Sequence, residues 1–262
     1  MALGFTIGAV SFVSAAALPL VEGMLQEGGL KTFFLIMGGS YFILFLPLLF
    51  LLVPGRRRQQ EQQVGPGSEA LPDPKNSPAS AIIVLGVAGL LIALVGGGSA
   101  GHLAGLAKDT GAASPAMVGS IFALGVMIAR PVTGLIIDHM NAALVAAVAF
   151  ALAAAGLLIA ALGNGQLVLL SALLLATAVG ADLDVVAYLA SRHVSRAQFG
   201  RVFGWLYCGI LLAAAAGPVL IALLRDLFDG YQVPFLCAAA LAALAAVLML
   251  RMPPYETRQH AA

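Results

Sequence analysis

Charged residues are scarce in this sequence: Asp, Glu, Lys and Arg make up 10% of its 262 residues, whereas apolar residues make up 61%. A soluble domain has about 25% charged residues, so this chain has too few charges to cover a surface in water. The composition therefore excludes a soluble enzyme, and its apolar content excludes a disordered chain. A formal net charge of +1 gives no support to a nucleic-acid partner, which would need a basic surface.

Recognisable cofactor and metal motifs are also absent. The sequence has no P-loop, no dinucleotide fingerprint and no metal-ligand spacing, so we expect no cofactor, no metal site and no ATP-driven step. The segment 97–101 has a G-x-S-x-G pattern, but it lies in an apolar run rather than on a strand-to-helix elbow. We therefore expect no hydrolase. Cys208 and Cys237 lie within apolar runs, which favours buried free cysteines over a disulfide.

Long apolar runs are the dominant feature that is present. A membrane helix needs roughly 20 apolar residues, and about eight such runs occur. They lie near residues 2–22, 31–53, 80–105, 116–137, 142–162, 166–190, 203–224 and 232–251. Ser114 and Pro115 have the pattern of an N-cap followed by proline at the first helical position. The sequence predicts an all-α polytopic membrane protein.

The polar, Pro/Gly-rich segment 54–79 predicts a cytoplasmic linker between two spans (1–53) and six spans (80–253). A short tail follows at 254–262. With the amino terminus inside, nine Lys and Arg residues fall in inner loops and three in outer loops. The inner ones are Arg56, Arg57, Arg58, Lys75, Arg192, Arg196, Arg201, Arg251 and Arg258, and the outer ones are Lys31, Lys108 and Arg225. This asymmetry predicts cytoplasmic termini, and the absence of targeting signals favours a bacterial-type plasma membrane.

Arg130 is the charged residue most in need of an explanation, because it lies about 10 Å from the end of its predicted span. A charge in hydrocarbon costs about 2.5–3.5 kcal/mol on insertion scales. One interpretation is an arginine that binds an anion in a wet cavity; the other is an arginine tied to helix-end carbonyls or to a neighbouring aspartate. Pro131 follows directly and removes a helical hydrogen bond, which predicts a bend.

Three further titratable residues are candidates for proton coupling. Asp182 and Asp184 are two residues apart, so on a helix they point about 200° apart and at most one faces a central cavity. Either is a candidate proton carrier, and either is also compatible with capping or pairing with Arg192 or Arg201. His102, near the outer end of the third span, is compatible with an interfacial hydrogen bond or with a proton relay.

Glycine is concentrated at two places in the predicted spans. Gly96, Gly97 and Gly98 weaken a helix, so they predict either a gating bend or a close approach of another helix. Gly4 and Gly8 form a G-x-x-x-G pattern, which favours a helix-packing face.

The six later spans resemble the carboxy-terminal half of a major facilitator superfamily transporter. Residues 129–135 (ARPVTGL) resemble the eighth helix of its monocarboxylate and oxalate/formate-type branches, and Gly134 with Asp138 resembles a degenerate G-x-x-x-D signature. The resemblance to the tenth and eleventh helices and the following loop is carried by Gly180, Gly200, Arg201, Gly217, Pro218, Asp226, Asp229, Gly230 and Tyr231. Residues 1–53 resemble the fifth and sixth helices, so the family's first four helices have no counterpart here.

The resemblance implies secondary transport of a small organic anion, a monocarboxylate, with Arg130 as the substrate-binding group. It also implies two bundles with the substrate between them, so one wall of the site is either missing here or supplied by a second chain. The expected partners are the bilayer, the anion and protons. Val126 stands where a relative has an aspartate, which puts proton coupling in doubt. The alternative is a truncated, non-transporting membrane protein or an assembly partner for a separate amino-terminal half.

Overall fold

A computed structural model describes residues 79–254 apart from Asn164, together with seven isolated positions between 31 and 43. The predicted span at 2–22 with its G-x-x-x-G pattern, nearly all of the span at 31–53, the linker up to residue 78 and the tail from 255 lie outside the described residues. The fold below is that of residues 79–254.

This part of the chain forms six α-helices, each long and apolar enough to cross a membrane. They are α1 (Ala79–Thr110), α2 (Pro115–Ile137), α3 (Ala142–Leu162), α4 (Val168–His193), α5 (Arg196–Leu227) and α6 (Gln232–Leu250). The six later spans are therefore confirmed as helices. Ser114 caps α2 as predicted, because its hydroxyl accepts a hydrogen bond from the Met117 backbone N–H at 3.2 Å.

Two helices are longer than the apolar runs that predicted them. α1 continues to Thr110 rather than ending near 105, and α5 begins at Arg196 rather than near 203. Both extensions carry charged residues, among them Lys108 and Arg201. Hydropathy detects only the part of a helix that lies in hydrocarbon, whereas the backbone hydrogen bonds continue into the polar interface.

The packing of the six helices repeats after the third helix. The largest contacts join α1 to α5, α2 to α4 and α3 to α6, and α3 also packs on α4 while α1 packs on α6. Exchanging α1, α2 and α3 with α4, α5 and α6 converts the α1–α5 pair into the α2–α4 pair and the α3–α4 pair into the α1–α6 pair, and it leaves the α3–α6 pair unchanged. The bundle therefore consists of two related three-helix units, an arrangement typical of transporters built from inverted repeats.

The core lies between α1, α3, α4 and α6 and is rich in alanine, with Phe150 and Phe235 as its largest fully buried side chains. α2 and α5 bury the smallest share of their residues. Small residues at helix contacts allow close approach, which is how membrane helices gain packing energy when lipid offers no hydrophobic driving force.

The closest helix contact is where α1 crosses α5. A Cβ on Gly97 would collide with the Ala214 carbonyl oxygen, and one on Gly98 would lie 2.9 Å from the Gly217 carbonyl carbon. Pro218 has no N–H, so the Ala214 carbonyl lacks its usual helical donor and is free for a weak Cα–H contact from Gly97. The glycine run is thus a point of close helix approach, while its role as a bend stays a prediction.

Candidate functional site

Arg130 lies on α2 where that helix contacts α4. A Cβ on Gly180 of α4 would lie 2.5 Å from the Ala129 Cβ and 3.3 Å from the Arg130 backbone nitrogen, so the close approach to Ala129 requires glycine. The arginine side chain is half-buried, and its Nε and Nη1 atoms are buried without a hydrogen-bond partner. A guanidinium with two unsatisfied buried N–H positions is unusual, because each buried unsatisfied group costs about 1–3 kcal/mol and a charged one costs more.

Asp184 follows Gly180 by one helical turn and therefore lies on the same face of α4, toward α2. Its carboxylate is half-buried, and Oδ2 is buried without a hydrogen-bond partner. Asp182 accepts a hydrogen bond from the Leu183 backbone N–H at 2.6 Å. The Arg130 guanidinium interacts electrostatically with both carboxyls. We call Arg130, Asp182 and Asp184 the Arg130 cluster.

The charged side chains of the Arg130 cluster interact electrostatically but form no ion pair with one another. Within residues 79–254, apart from Asn164, the one ion pair joins Arg225 to Asp109, so Arg130 contacts neither aspartate directly. The guanidinium fork can therefore receive a carboxylate ligand without first breaking a salt bridge. Asp184 also has a buried carboxylate oxygen without a hydrogen-bond partner.

Tyr188, which the sequence analysis did not select, and Arg192, considered there as a pairing partner for the aspartates, extend this site along α4. Tyr188 and Arg192 follow Asp184 at four-residue spacing, about 12 Å toward the end of the helix. Arg192 Nη2 donates to the Tyr188 hydroxyl at 3.1 Å, and its guanidinium carbon lies 5.0 Å from the Tyr188 ring centroid. The sequence signal for this row of side chains was the four-residue spacing of Asp184, Tyr188 and Arg192, which places them on one face of a helix. These residues lead from the Arg130 cluster toward the predicted cytoplasmic side.

His102 lies far from the Arg130 cluster, at the opposite end of the bundle. Its Nε2 donates to the Pro218 carbonyl oxygen at 3.2 Å, and its ring centroid lies 5.8 Å from that of Tyr231. Arg225 lies 4.9 Å from the Tyr231 centroid and donates to Asp109 Oδ2 at 3.0 Å. We call His102, Asp109, Arg225 and Tyr231 the Asp109 cluster. It joins α1, α5 and the start of α6, and the proton role of His102 stays a prediction.

Pro131 lies inside α2, which continues to Ile137. Because proline has no N–H, the Met127 carbonyl loses its helical donor directly beside Arg130. Gly96 approaches α4, since a Cβ there would lie 2.7 Å from Val179 Cγ2. The three bend candidates on α1 and the one on α2 therefore lie at or near helix contacts.

Two cysteines and the buried Ser99 also lie within the apolar spans. Cys208 and Cys237 are free thiols and are exposed on the helix surface. The prediction that they are buried is wrong, because an apolar run does not distinguish a lipid-facing position from a core position. Ser99 is fully buried, and its hydroxyl lacks a hydrogen-bond partner. Among the described residues, no group of three or more His, Cys, Asp or Glu side chains is placed to hold a metal ion.

The comparisons with known proteins agree with this architecture. The sequence model of the Major Facilitator Superfamily matches residues 85–262, which include nearly all of the six described helices. No curated protein is similar enough to the chain to count as a match. Six membrane-crossing helices in two related units, with a matching family model over more than half of the sequence, show that the chain belongs to the Major Facilitator Superfamily, a family of membrane transporters.

Proposed function

We propose that the protein is a secondary transporter of a small organic anion, a monocarboxylate, that works by alternating access. The observation that supports this most strongly is the unsatisfied guanidinium of Arg130 beside the unsatisfied carboxylate of Asp184. Burial of polar groups in a low-dielectric interior is tolerated when a partner satisfies them. The missing partner of Arg130 is then the transported substrate.

A carboxylate fits Arg130 better than other anions of similar size. Guanidinium is planar and always charged, and it presents parallel N–H donors that match the two oxygens of a carboxylate. In the described helices, Arg130 is also the lysine or arginine furthest from a helix end, seven residues before α2 ends at Ile137. A second carboxylate on the substrate would therefore meet no second deep cation, and it would be repelled by Asp182 and Asp184. A single negative charge is favoured.

Proton coupling follows from competition for the same arginine. An incoming carboxylate neutralises the charge of Arg130 and adds its own negative charge, so Asp184 then takes up a proton. One proton accompanies one anion, and net charge does not cross the membrane. Asp184 is thus our first choice of coupling residue, ahead of Asp182 and His102.

The conformational part of the proposal assigns bending to Gly96, Gly97 and Gly98 in α1 and to Pro131 in α2, positions where neighbouring helices re-satisfy the backbone. The substrate would lie near the membrane midplane against this bundle, with a second bundle or a second chain as the opposite wall. Both termini would be cytoplasmic in a plasma membrane.

The test is uptake by protein reconstituted in liposomes. Labelled acetate, lactate and pyruvate are compared with oxalate and with a cationic amine, for the wild type and for Arg130→Gln. We expect uptake of a monocarboxylate that falls about 100-fold or more in the variant, because removing one member of a buried charge–ligand pair costs about 2–5 kcal/mol. Arg201→Gln, which removes an exposed arginine, is the control and should keep wild-type uptake. Equal uptake by wild type and Arg130→Gln would refute the assigned site.

A further inference from the structure

An apolar groove of about 410 Å³ lies between α3 and α6 on the outside of the bundle. Five of its lining residues are alanines, whose short side chains leave space between two helices that otherwise pack closely. The lining residues are Leu144, Ala147, Val148, Ala151, Ala154, Ala243, Ala246, Val247 and Leu250. None of them is polar, so the groove fits a hydrocarbon chain.

The length and depth of the groove match one leaflet of a bilayer. From Leu144 to Ala154 the groove follows α3 for about 15 Å, which is half of the roughly 30 Å hydrocarbon thickness. It occupies the half of α3 that begins at Ala142 and the half of α6 that ends at Leu250. An acyl chain in this groove would therefore have its headgroup level with the first residues of α3 and the last residues of α6.

An exposed arginine lies at that level of the bundle beside the groove. Arg251 directly follows the lining residue Leu250, is exposed, and forms no ion pair within the described part of the chain. The amino terminus of α3, capped by Asn141, adds the positive end of a helix dipole. Positive charge at the headgroup level beside an apolar groove is complementary to a lipid with a negative headgroup.

We propose that the α3–α6 groove binds one anionic glycerophospholipid, with an acyl chain along the alanines and the phosphate at Arg251. The site lies on different helices from the Arg130 cluster, so it does not depend on the transported substrate. Its occupant would join α3 to α6, the contact that relates the two three-helix units.

Native mass spectrometry of the purified full chain tests this proposal directly. The protein in detergent is titrated with phosphatidylglycerol or with phosphatidylcholine of the same acyl chains. We expect one phosphatidylglycerol to bind about fivefold more tightly than phosphatidylcholine, the factor for one arginine at a membrane surface. Arg251→Gln should remove this preference, and Arg201→Gln should keep it. Equal binding of the two lipids by the wild type, or an unchanged preference in Arg251→Gln, would overturn the proposal.

A second pair of variants tests the acyl-chain part of the site. Ala151→Phe places a large side chain in the groove and should weaken binding of both lipids at the first site. Ala155→Phe makes the same change at an exposed alanine one turn further along α3, outside the groove, and should have no effect. Equal effects of the two substitutions would show that the groove does not hold the chain.

Discussion

The two polar clusters of the bundle treat their charges in opposite ways. In the Asp109 cluster, Arg225 has an ion pair with Asp109 and a ring contact with Tyr231, and both charged side chains are more than 40% exposed. In the Arg130 cluster, the guanidinium and the carboxylate of Asp184 are half-buried, and both contain buried atoms without a partner. The exposed charges of the Asp109 cluster, which water also stabilises, are paired with each other. The half-buried charges of the Arg130 cluster, which water stabilises less, are not paired.

Folding energetics alone would give the reverse distribution. Exposed ion pairs contribute little to stability because water and salt screen them, whereas an unpaired charge in a low-dielectric interior is strongly unfavourable. A sequence selected only for a stable bundle would replace Arg130 with an apolar residue. The unpaired cation between α2 and α4 therefore has no explanation in folding energetics and is consistent with the proposed binding role, whereas the paired charges of the Asp109 cluster need no such role.

The largest expected effect on uptake comes from a double variant that removes two charges of the Arg130 cluster, compared with a double variant that removes the two charges of the Asp109 cluster. The double variant Arg130→Met with Asp184→Asn should abolish uptake yet unfold at a temperature at least as high as the wild type. Replacing buried charges with apolar or neutral groups is often neutral or stabilising by about 1–4 kcal/mol. Arg225→Met with Asp109→Asn should keep uptake and unfold at a slightly lower temperature. Thermal unfolding in detergent and liposome uptake measure both outcomes, and a strong loss of stability in the first variant would contradict the comparison.

A smaller effect is expected from Asp184→Asn alone. Asparagine cannot take up a proton, so a pH gradient should no longer drive accumulation of the anion, while binding and exchange of the anion at Arg130 remain. We expect gradient-driven uptake to fall about 100-fold, the lower end of the contribution of a positioned acid–base group to a proton-transfer step. Asp182→Asn is the matched control on the same helix and should keep the gradient response. If only Asp182→Asn loses that response, the coupling residue has been assigned to the wrong aspartate.

An effect of about fivefold is expected at Tyr188, which lies on α4 between Asp184 and Arg192. Tyr188→Phe keeps the ring beneath the Arg192 guanidinium but removes the hydroxyl to which Arg192 donates. One such hydrogen bond contributes about 1 kcal/mol, so KM for the anion should rise about fivefold on the side of the membrane that Arg192 faces, with kcat unchanged. Tyr207→Phe, on the exposed face of α5, is the control. A fall in kcat without a change in KM would show that Tyr188 has a different role.

The sequence was sufficient to locate the six helices between residues 79 and 250, but not to show how each helix is rotated about its axis against its neighbours. The start of α2 followed from Ser114 and Pro115, because capping is a local interaction between residues close in the chain. Whether Asp182 or Asp184 faces Arg130 depends on how α4 is rotated against α2. That rotation is fixed by the contact of Gly180 with Ala129 and Arg130, which is a long-range contact that hydropathy does not encode.

Long-range packing also explains why the sequence did not predict the exposure of the two cysteines or the assembly of the Asp109 cluster. Every face of a membrane helix can be apolar, so composition does not show whether Cys208 or Cys237 faces lipid or the core. Asp109 lies 116 residues before Arg225 in the chain, and each of these charged residues is ordinary at a helix end. Their assembly around His102 needs the α1–α5 crossing at Gly97 and Gly217, where backbone meets backbone.

The smallest expected effect is that of His102→Gln. This variant tests whether the role of His102 is structural, as proposed for the rest of the Asp109 cluster, or whether His102 takes part in transport. Glutamine keeps a donor for the Pro218 carbonyl but loses the aromatic contact with Tyr231, so the variant should lose at most about 1 kcal/mol of stability. Because His102 lies at the far end of the bundle from Asp184, the pH profile of uptake should be unchanged. A shifted pH profile would instead place His102 among the groups that carry the proton. The Asp109 cluster would then have a functional role as well as a structural one.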